Sequence, residues 1–289
     1  MCSLFRRSVA LLLALGLLLP LQGQAESVPP AAFTSHIRQR NDSQKTHGRK
    51  HRPNSLSIGL PYRGALRNGV RLKESRVLRI AAEYRGTGHF YGTTELINLL
   101  EKTAAHVARR FRGPALVVGE LSKEGGGPIP GHRSHQNGRD VDIAFYTQDE
   151  KGNTYLPYAF LPFDRRGHSI HPHSGFHFDD ARNWELVARL VSDEEAKVQF
   201  IFVAETLKQR LLRTAKRRKA PHWVIERAQS VMVQPSHGHP HRNHFHVRIY
   251  CAPDDRPFCQ DSAPFHPWYP RLPRENTLPH PPTQEDALE

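Results

Sequence analysis

The sequence predicts an α+β fold, a small and mainly antiparallel sheet flanked by helices in a single domain. Three observations lead there. Asp140–Tyr146 and His244–Ile249 alternate apolar and polar residues with the period of a strand. Several longer stretches repeat their apolar residues at helical spacing. Both ends of the chain are too polar or too rich in proline to build a second core, which leaves about 200 residues, the size of one domain.

Residues 1–25 read as a cleavable signal peptide. Arg6 and Arg7 form a positive start, Val9 to Leu21 is almost wholly apolar, and Gly23-Gln-Ala25 closes with small residues, so cleavage is expected before Glu26. The apolar run is shorter than the ~20 residues of a secure bilayer span, and nothing later approaches one, so no transmembrane anchor is expected. Cys2 precedes the apolar run and is not at a lipoprotein cleavage position. Residues 26–54 hold too little apolar surface to bury and are expected to form a flexible basic arm. The domain is expected over 55–259, followed by a Pro-rich extended tail over 260–289.

Inside the domain the first helix is expected from about Thr94 to Arg112, with Leu96, Ile97, Leu100, Ala104, Val107 and Phe111 on one face. Thr93 or Thr94 is its N-cap candidate, and Glu95 in the first turn suits the helix dipole. Ala115–Val118 reads as a short strand. Gly125-Gly126-Gly127 then opens a loop carrying His132 and His135. A second helix follows Asp179-Asp180 through Trp184, Leu186, Val187 and Leu190. Strand Val198–Phe202, a basic helix near Thr206–Arg218, a helix near His222–Gln229 and strand Val231–Val233 complete the series. No internal repeat is visible.

The formal charge is +13, and loss of Arg6 and Arg7 with the leader would leave +11. Such a balance favours polyanionic surroundings, which for an exported chain means wall polymer, anionic headgroups or carboxylate-rich peptides; export argues against nucleic acid. The run Lys216-Arg-Arg-Lys219 is read as a solvated helix end. Cys251 and Cys259, the two cysteines left after cleavage, have seven residues between them and should pair as a disulfide in an oxidising compartment.

The densest chemistry lies in His135-Gln-Asn-Gly-Arg-Asp-Val-Asp142 and in His244-Phe-His246, each with a further histidine three residues upstream, His132 and His241. Three nitrogen or oxygen ligands plus one open position is how a catalytic zinc site is built, whereas structural sites close all four positions. Alternation turns Asp142 away from the apolar face of its strand. It also puts His244, His246 and Arg248 together on one face of theirs, so that one imidazole can hold a metal while its neighbour stands beside it. Gly138 supplies a bend that lets His135 fold back towards Asp142. A single histidine in a strand is usually an ordinary core or surface residue. Nineteen histidines also raise the rate of chance clusters, but two such blocks agree in ligand type and in strand geometry. Zinc is the expected cofactor, although other divalent ions suit the same donors. The stretch His168-Ser-Ile-His171-Pro-His173, with His177, could bind another metal or line a substrate groove, but Pro172 and the irregular spacing give no single ligand face and favour a polar loop.

Gly131-His-Arg-Ser-His-Gln-Asn-Gly-Arg-Asp-Val-Asp-Ile143 and His241-Arg-Asn-His-Phe-His-Val-Arg-Ile-Tyr-Cys251 closely resemble the two signature blocks of the penicillin-insensitive murein endopeptidases. That family belongs to a wider group of zinc peptidases that includes lysostaphin and the D-Ala-D-Ala peptidases. Tyr91–Leu96 and Asn183-Trp184 add to the likeness, which covers roughly Ser57 to Cys251. The resemblance implies an exported, periplasmic enzyme whose partner is peptidoglycan and which hydrolyses its peptide cross-links between D-alanine and meso-diaminopimelate. It implies zinc ligation by His135, Asp142 and His246, with His132 a ligand or an immediate neighbour of the site. It implies catalysis by the His244 imidazole, with His241 as a second active-site histidine. The chain departs from the family pattern in keeping only two mature cysteines and in its basic arm and Pro-rich tail.

Missing motifs narrow the field. The chain has no Ser-x-x-Lys for a penicillin-sensitive acyl nucleophile, no His-Glu-x-x-His helix, and neither a P-loop nor a dinucleotide fingerprint. A carboxypeptidase trimming terminal D-alanine is the nearest alternative. A non-catalytic wall-binding metalloprotein is the alternative from another class.

Overall fold

The computed structural model describes residues 54–236 and 239–270. Its centre is a six-stranded sheet of β1 (Leu78–Ile80), β2 (Leu116–Val118), β3 (Asp140–Ala144), β4 (Val198–Phe202), β5 (Met232–Val233) and β6 (His244–Ile249). The spatial order is β5-β4-β6-β3-β2-β1; the two outer pairs are parallel and the three inner pairings antiparallel. Four α-helices accompany it among the described residues: α1 (Thr94–Arg110), α2 (Asp180–Val191), α3 (Glu205–Arg217) and α4 (His222–Val231). The mixed α+β class and the mainly antiparallel sheet match the sequence expectation.

The helix starts follow from local chemistry. Thr93 caps α1 by accepting the Leu96 N–H, and Asp179 caps α2 by accepting the Arg182 N–H. Leu96, Leu100 and Val107 of α1 join Leu186, Val187 and Leu190 of α2, and Leu207 and Leu211 of α3, in one apolar core. Val141 and Ile143 of β3 and Phe245 and Val247 of β6 fill the same core. Asn183 is buried; it accepts the Tyr146 N–H at 2.9 Å and donates to the Tyr146 carbonyl at 2.8 Å, clamping the chain just beyond β3.

Register sets the functional face. Across the β6–β3 pair His246 lies opposite Asp142 and Arg248 opposite Asp140, while Val247 faces Val141 and Phe245 faces Ile143. Cross-strand partners share a face of the sheet, so the apolar pairs go to the core and the polar pairs gather on the other side. A one-residue slip would exchange the two sets.

Several elements were not foreseen. A hairpin of Leu56–Leu60 with Arg63–Arg67 docks on the disulfide loop, where Gly59 N–H donates to Phe258 O and Gln260 N–H to Gly59 O. His177 sits in a short strand, Phe176–Phe178, paired with Thr147–Asp149, and is not merely part of a polar loop. Cys251 and Cys259 form the expected disulfide. Beyond them residues 260–270 have no regular element, yet they lie against the domain. The Asp261 side chain is buried against Arg139 at 2.6 Å, and Trp268 Nε1–H donates to the Val198 carbonyl at 3.0 Å. The packed unit therefore continues past 259. Residues 1–53, and with them the leader and most of the arm, lie outside the described residues, as do residues 271–289 of the tail.

Candidate metal centre

The loop from Glu120 to Gly138 builds one wall of the site. His135 has φ +66°, in the left-handed region that non-glycine residues seldom adopt. Its N–H donates to Asp140 Oδ2 at 3.1 Å and its Nδ1–H to the Leu121 carbonyl at 3.0 Å, which holds the imidazole over β3. Gly138, at φ +80°, is needed for the return: a Cβ there would stand 2.8 Å from Leu66 Cδ1 and 3.0 Å from the Thr93 nitrogen. The bend expected from the sequence thus uses both residues.

With Nδ1 engaged, His135 Nε2 is left as a buried atom without a hydrogen-bond partner, and Asp142 Oδ1 is another. They face each other at 3.5 Å. Around the same carboxylate stand His246 Nδ1 at 3.4 Å, His244 Nε2 at 3.4 Å and His132 Nδ1 at 3.7 Å. These separations are long for hydrogen bonds. Ligand atoms about 2.0–2.1 Å from a tetrahedral zinc are about 3.3–3.4 Å apart, so the donor set fits such an ion. His132, His135 and Asp142 offer ligand atoms that all lie within 4.8 Å of one another, the one such group of His, Cys, Asp or Glu among the described residues. His246 reaches the same carboxylate from the opposite strand, its ring 4.7 Å from that of His135. The structure thus brings together His132, His135, Asp142, His244 and His246.

Asp140 was not singled out from the sequence, and it organises the pocket floor. It accepts from the His135 N–H, from His246 Nε2–H at 3.1 Å and from Arg248 Nε–H at 2.7 Å. Burial alone would raise its pKa; Arg248 and His246 outweigh that and hold the carboxyl well below the usual range. With Nε2 donating to Asp140, His246 keeps Nδ1 for the pocket, the carboxylate–histidine pattern of metal sites. Asp142 is likewise held well below the usual range, against the effect of burial, by His244 and His135.

His244 lies at the rim. Its Nδ1–H donates to Asn243 Oδ1 at 2.9 Å, and its ring stacks on Phe160 at 5.0 Å. His241 is 4.9 Å from His244 and 5.8 Å from His246 between ring centroids. Burial, helped by the charge of those two imidazoles, lowers its pKa to about 4. Glu120 and His89 also escaped the sequence reading: Glu120 bonds His132 Nε2 at 2.8 Å and His89 Nδ1 at 2.6 Å. No pattern marked them, since they sit outside the two blocks in short irregular segments. The His168 and His177 rings lie 5.0 Å apart and belong to no group of three or more ligand side chains among the described residues.

Sheet and pocket together define an α+β protein with a buried His/Asp cluster fitted to a divalent metal. Residues 57–268 match the profile of the family described as penicillin-insensitive murein endopeptidase, and the chain belongs to that family. It is similar to the penicillin-insensitive murein endopeptidase of Haemophilus influenzae, 29% identical over 183 residues, which are 61% of this chain and 56% of the relative. It is also similar to the protein of the same name from Salmonella arizonae, 30% identical over 176 residues, 60% of this chain and 58% of the relative. The chain thus spans a little over half the length of the curated relatives it matches. Among the described residues no helix is long and apolar enough to cross a membrane.

Proposed function

We propose that the protein is an exported zinc endopeptidase that hydrolyses the D-alanyl–meso-diaminopimelyl cross-links of peptidoglycan, delivered to a periplasm by cleavage of residues 1–25. The observation that carries the reading is the convergence of two buried, partnerless atoms, His135 Nε2 and Asp142 Oδ1, with His246 Nδ1 beside them. His135, Asp142 and His246 would hold the metal, with His132 facing the same pocket. Zinc, when bound, supplies a Lewis acid that activates water and polarises the scissile carbonyl at neutral pH.

The chain's own residues do the rest. Asp142 offsets part of the metal charge. His244 donates from Nδ1 to Asn243, which leaves the Nε2 lone pair on the pocket side, 3.4 Å from Asp142 Oδ1. Nε2 takes the proton from the attacking water and returns it to the amine that leaves. His241 is held neutral beside it by burial and supports the same transfer. The disulfide suits an oxidising compartment.

The test is a digest of cross-linked muropeptides by the purified protein. Activity should vanish with a strong chelator, return with zinc and be indifferent to penicillin, giving monomeric muropeptides from uncut glycan. Chelator-resistant turnover, or cleavage confined to glycan or to terminal D-alanine, would overturn the reading.

A further inference from the structure

We propose that Glu120, backed by His89, is a positioning residue that fixes His132 as a fourth protein group facing the metal pocket. The inference rests on the proposed metal site and adds to it two residues and a division of labour. An ionised carboxylate can only accept hydrogen bonds. The proton must therefore sit on His132 Nε2, 2.8 Å from Glu120 Oε2, and on His89 Nδ1, 2.6 Å from Oε1. That places the free lone pair of His132 on Nδ1, the atom on the pocket side. At 3.7 Å from Asp142 Oδ2 it is not engaged by that carboxylate.

The backbone that carries the carboxylate is tied on both sides. The Glu120 carbonyl accepts the Asp142 N–H at 3.1 Å, and the Leu121 N–H donates to the His89 carbonyl at 2.8 Å. The Leu121 carbonyl in turn accepts from His135 Nδ1. One short backbone segment thus sets Glu120, His89, His135 and Asp142 in a single frame. Glu120 is itself buried, with both oxygens engaged by imidazoles. His89 occupies the oxygen that would otherwise let the carboxylate rotate away from His132.

The experiment measures zinc affinity by chelator competition and the visible spectrum of the cobalt-substituted protein. An amide at 120 must turn its NH₂ towards one imidazole and disturb that tautomer. Glu120→Gln should therefore weaken zinc binding about 10–100-fold, the usual scale for a group behind a ligand, and alter the cobalt spectrum. In a His132→Ala background the same change should add no further loss, because Glu120 acts through His132. Wild-type affinity and spectrum in Glu120→Gln would overturn the proposal, and so would an undiminished loss with His132 removed. Should Glu120→Gln fail to fold, His89 decides. His89→Ala should weaken zinc, and His89→Asn, whose amide nitrogen can replace Nδ1–H, should restore it; equal affinities in all three proteins would overturn it. Failure here leaves wild-type zinc binding and its dependence on His135 intact, whereas failure of the metal site itself would remove both.

Discussion

Asp140 receives hydrogen bonds from a backbone N–H, an imidazole and a guanidinium. Asp140→Asn would present an NH₂ to at least one of them and leave Arg248 buried without a counter-charge. Breaking such a pair costs about 3–5 kcal/mol, so thermal melting should drop sharply and zinc affinity with it. His135→Ala, Asp142→Ala and His246→Ala should lose nearly all bound zinc while keeping a native circular dichroism spectrum; full occupancy in any of them would remove that residue from the ligand set. His244→Ala should keep zinc yet lose at least about 100-fold in turnover, the scale of a positioned proton carrier. Steady-state kinetics beside metal analysis separates the two outcomes. At this scale the sequence was legible where ligands fall on strands, because a period of two dictates which side chains share a face. It was silent on Glu120 and His89. Their meeting is produced by the return of the chain at residues 119–122, and no local pattern encodes that.

Among the elements, β3 and β6 were readable because five or six alternating residues suffice to show a face. Leu78–Ile80, three residues interrupted by Arg79, carries too little pattern to differ from a loop. The first hairpin was hidden by Gly59 at φ +67° and by the arginines Arg63 and Arg67. The loop into β3 is the element most sensitive to a small change. Gly138→Ala combines a left-handed backbone with contacts of 2.8 Å and 3.0 Å to Leu66 and Thr93. It should cost about 1–3 kcal/mol and displace His135. Denaturant melts together with zinc titration check both effects, and an unchanged zinc affinity would show that the loop tolerates the shift.

For the whole molecule, the expected end of the domain at 259 and the packing beyond it meet in one measurable quantity. Ending the chain after Cys259 removes Asp261, the carboxylate paired with Arg139, and the Trp268 bond to Val198. The shortened chain should melt well below the full one. Near the same junction, Asp255 ties the disulfide loop to the first hairpin by accepting the Ser57 N–H at 2.9 Å. Burial raises its pKa from 3.8 to about 6, against the pull of that hydrogen bond. A raised carboxyl favours folding while protonated, so its contribution is complete below about pH 4 and is lost as pH rises through about 6. Asp255→Asn keeps an acceptor for Ser57 and cannot ionise. It should therefore melt a few °C higher than the parent at pH 8 (about 2–4 °C for a chain of this size), with the difference closing near pH 4. A gain that persists at low pH would point to a cause other than ionisation.

The Asp140 hub also bears on the order in which the protein matures. Structural zinc fingers fold only with their ion because nothing else gathers their ligands. Here His135 is held by Leu121 and Asp140, and His246 by Asp140, through hydrogen bonds that involve no metal. On the proposed reading, folding would not have to wait for the metal, and an ion could be acquired by a chain that is already folded. On the same reading, the supply of zinc would then set how much of the protein is active, and the bound ion would add to a stability the chain already has.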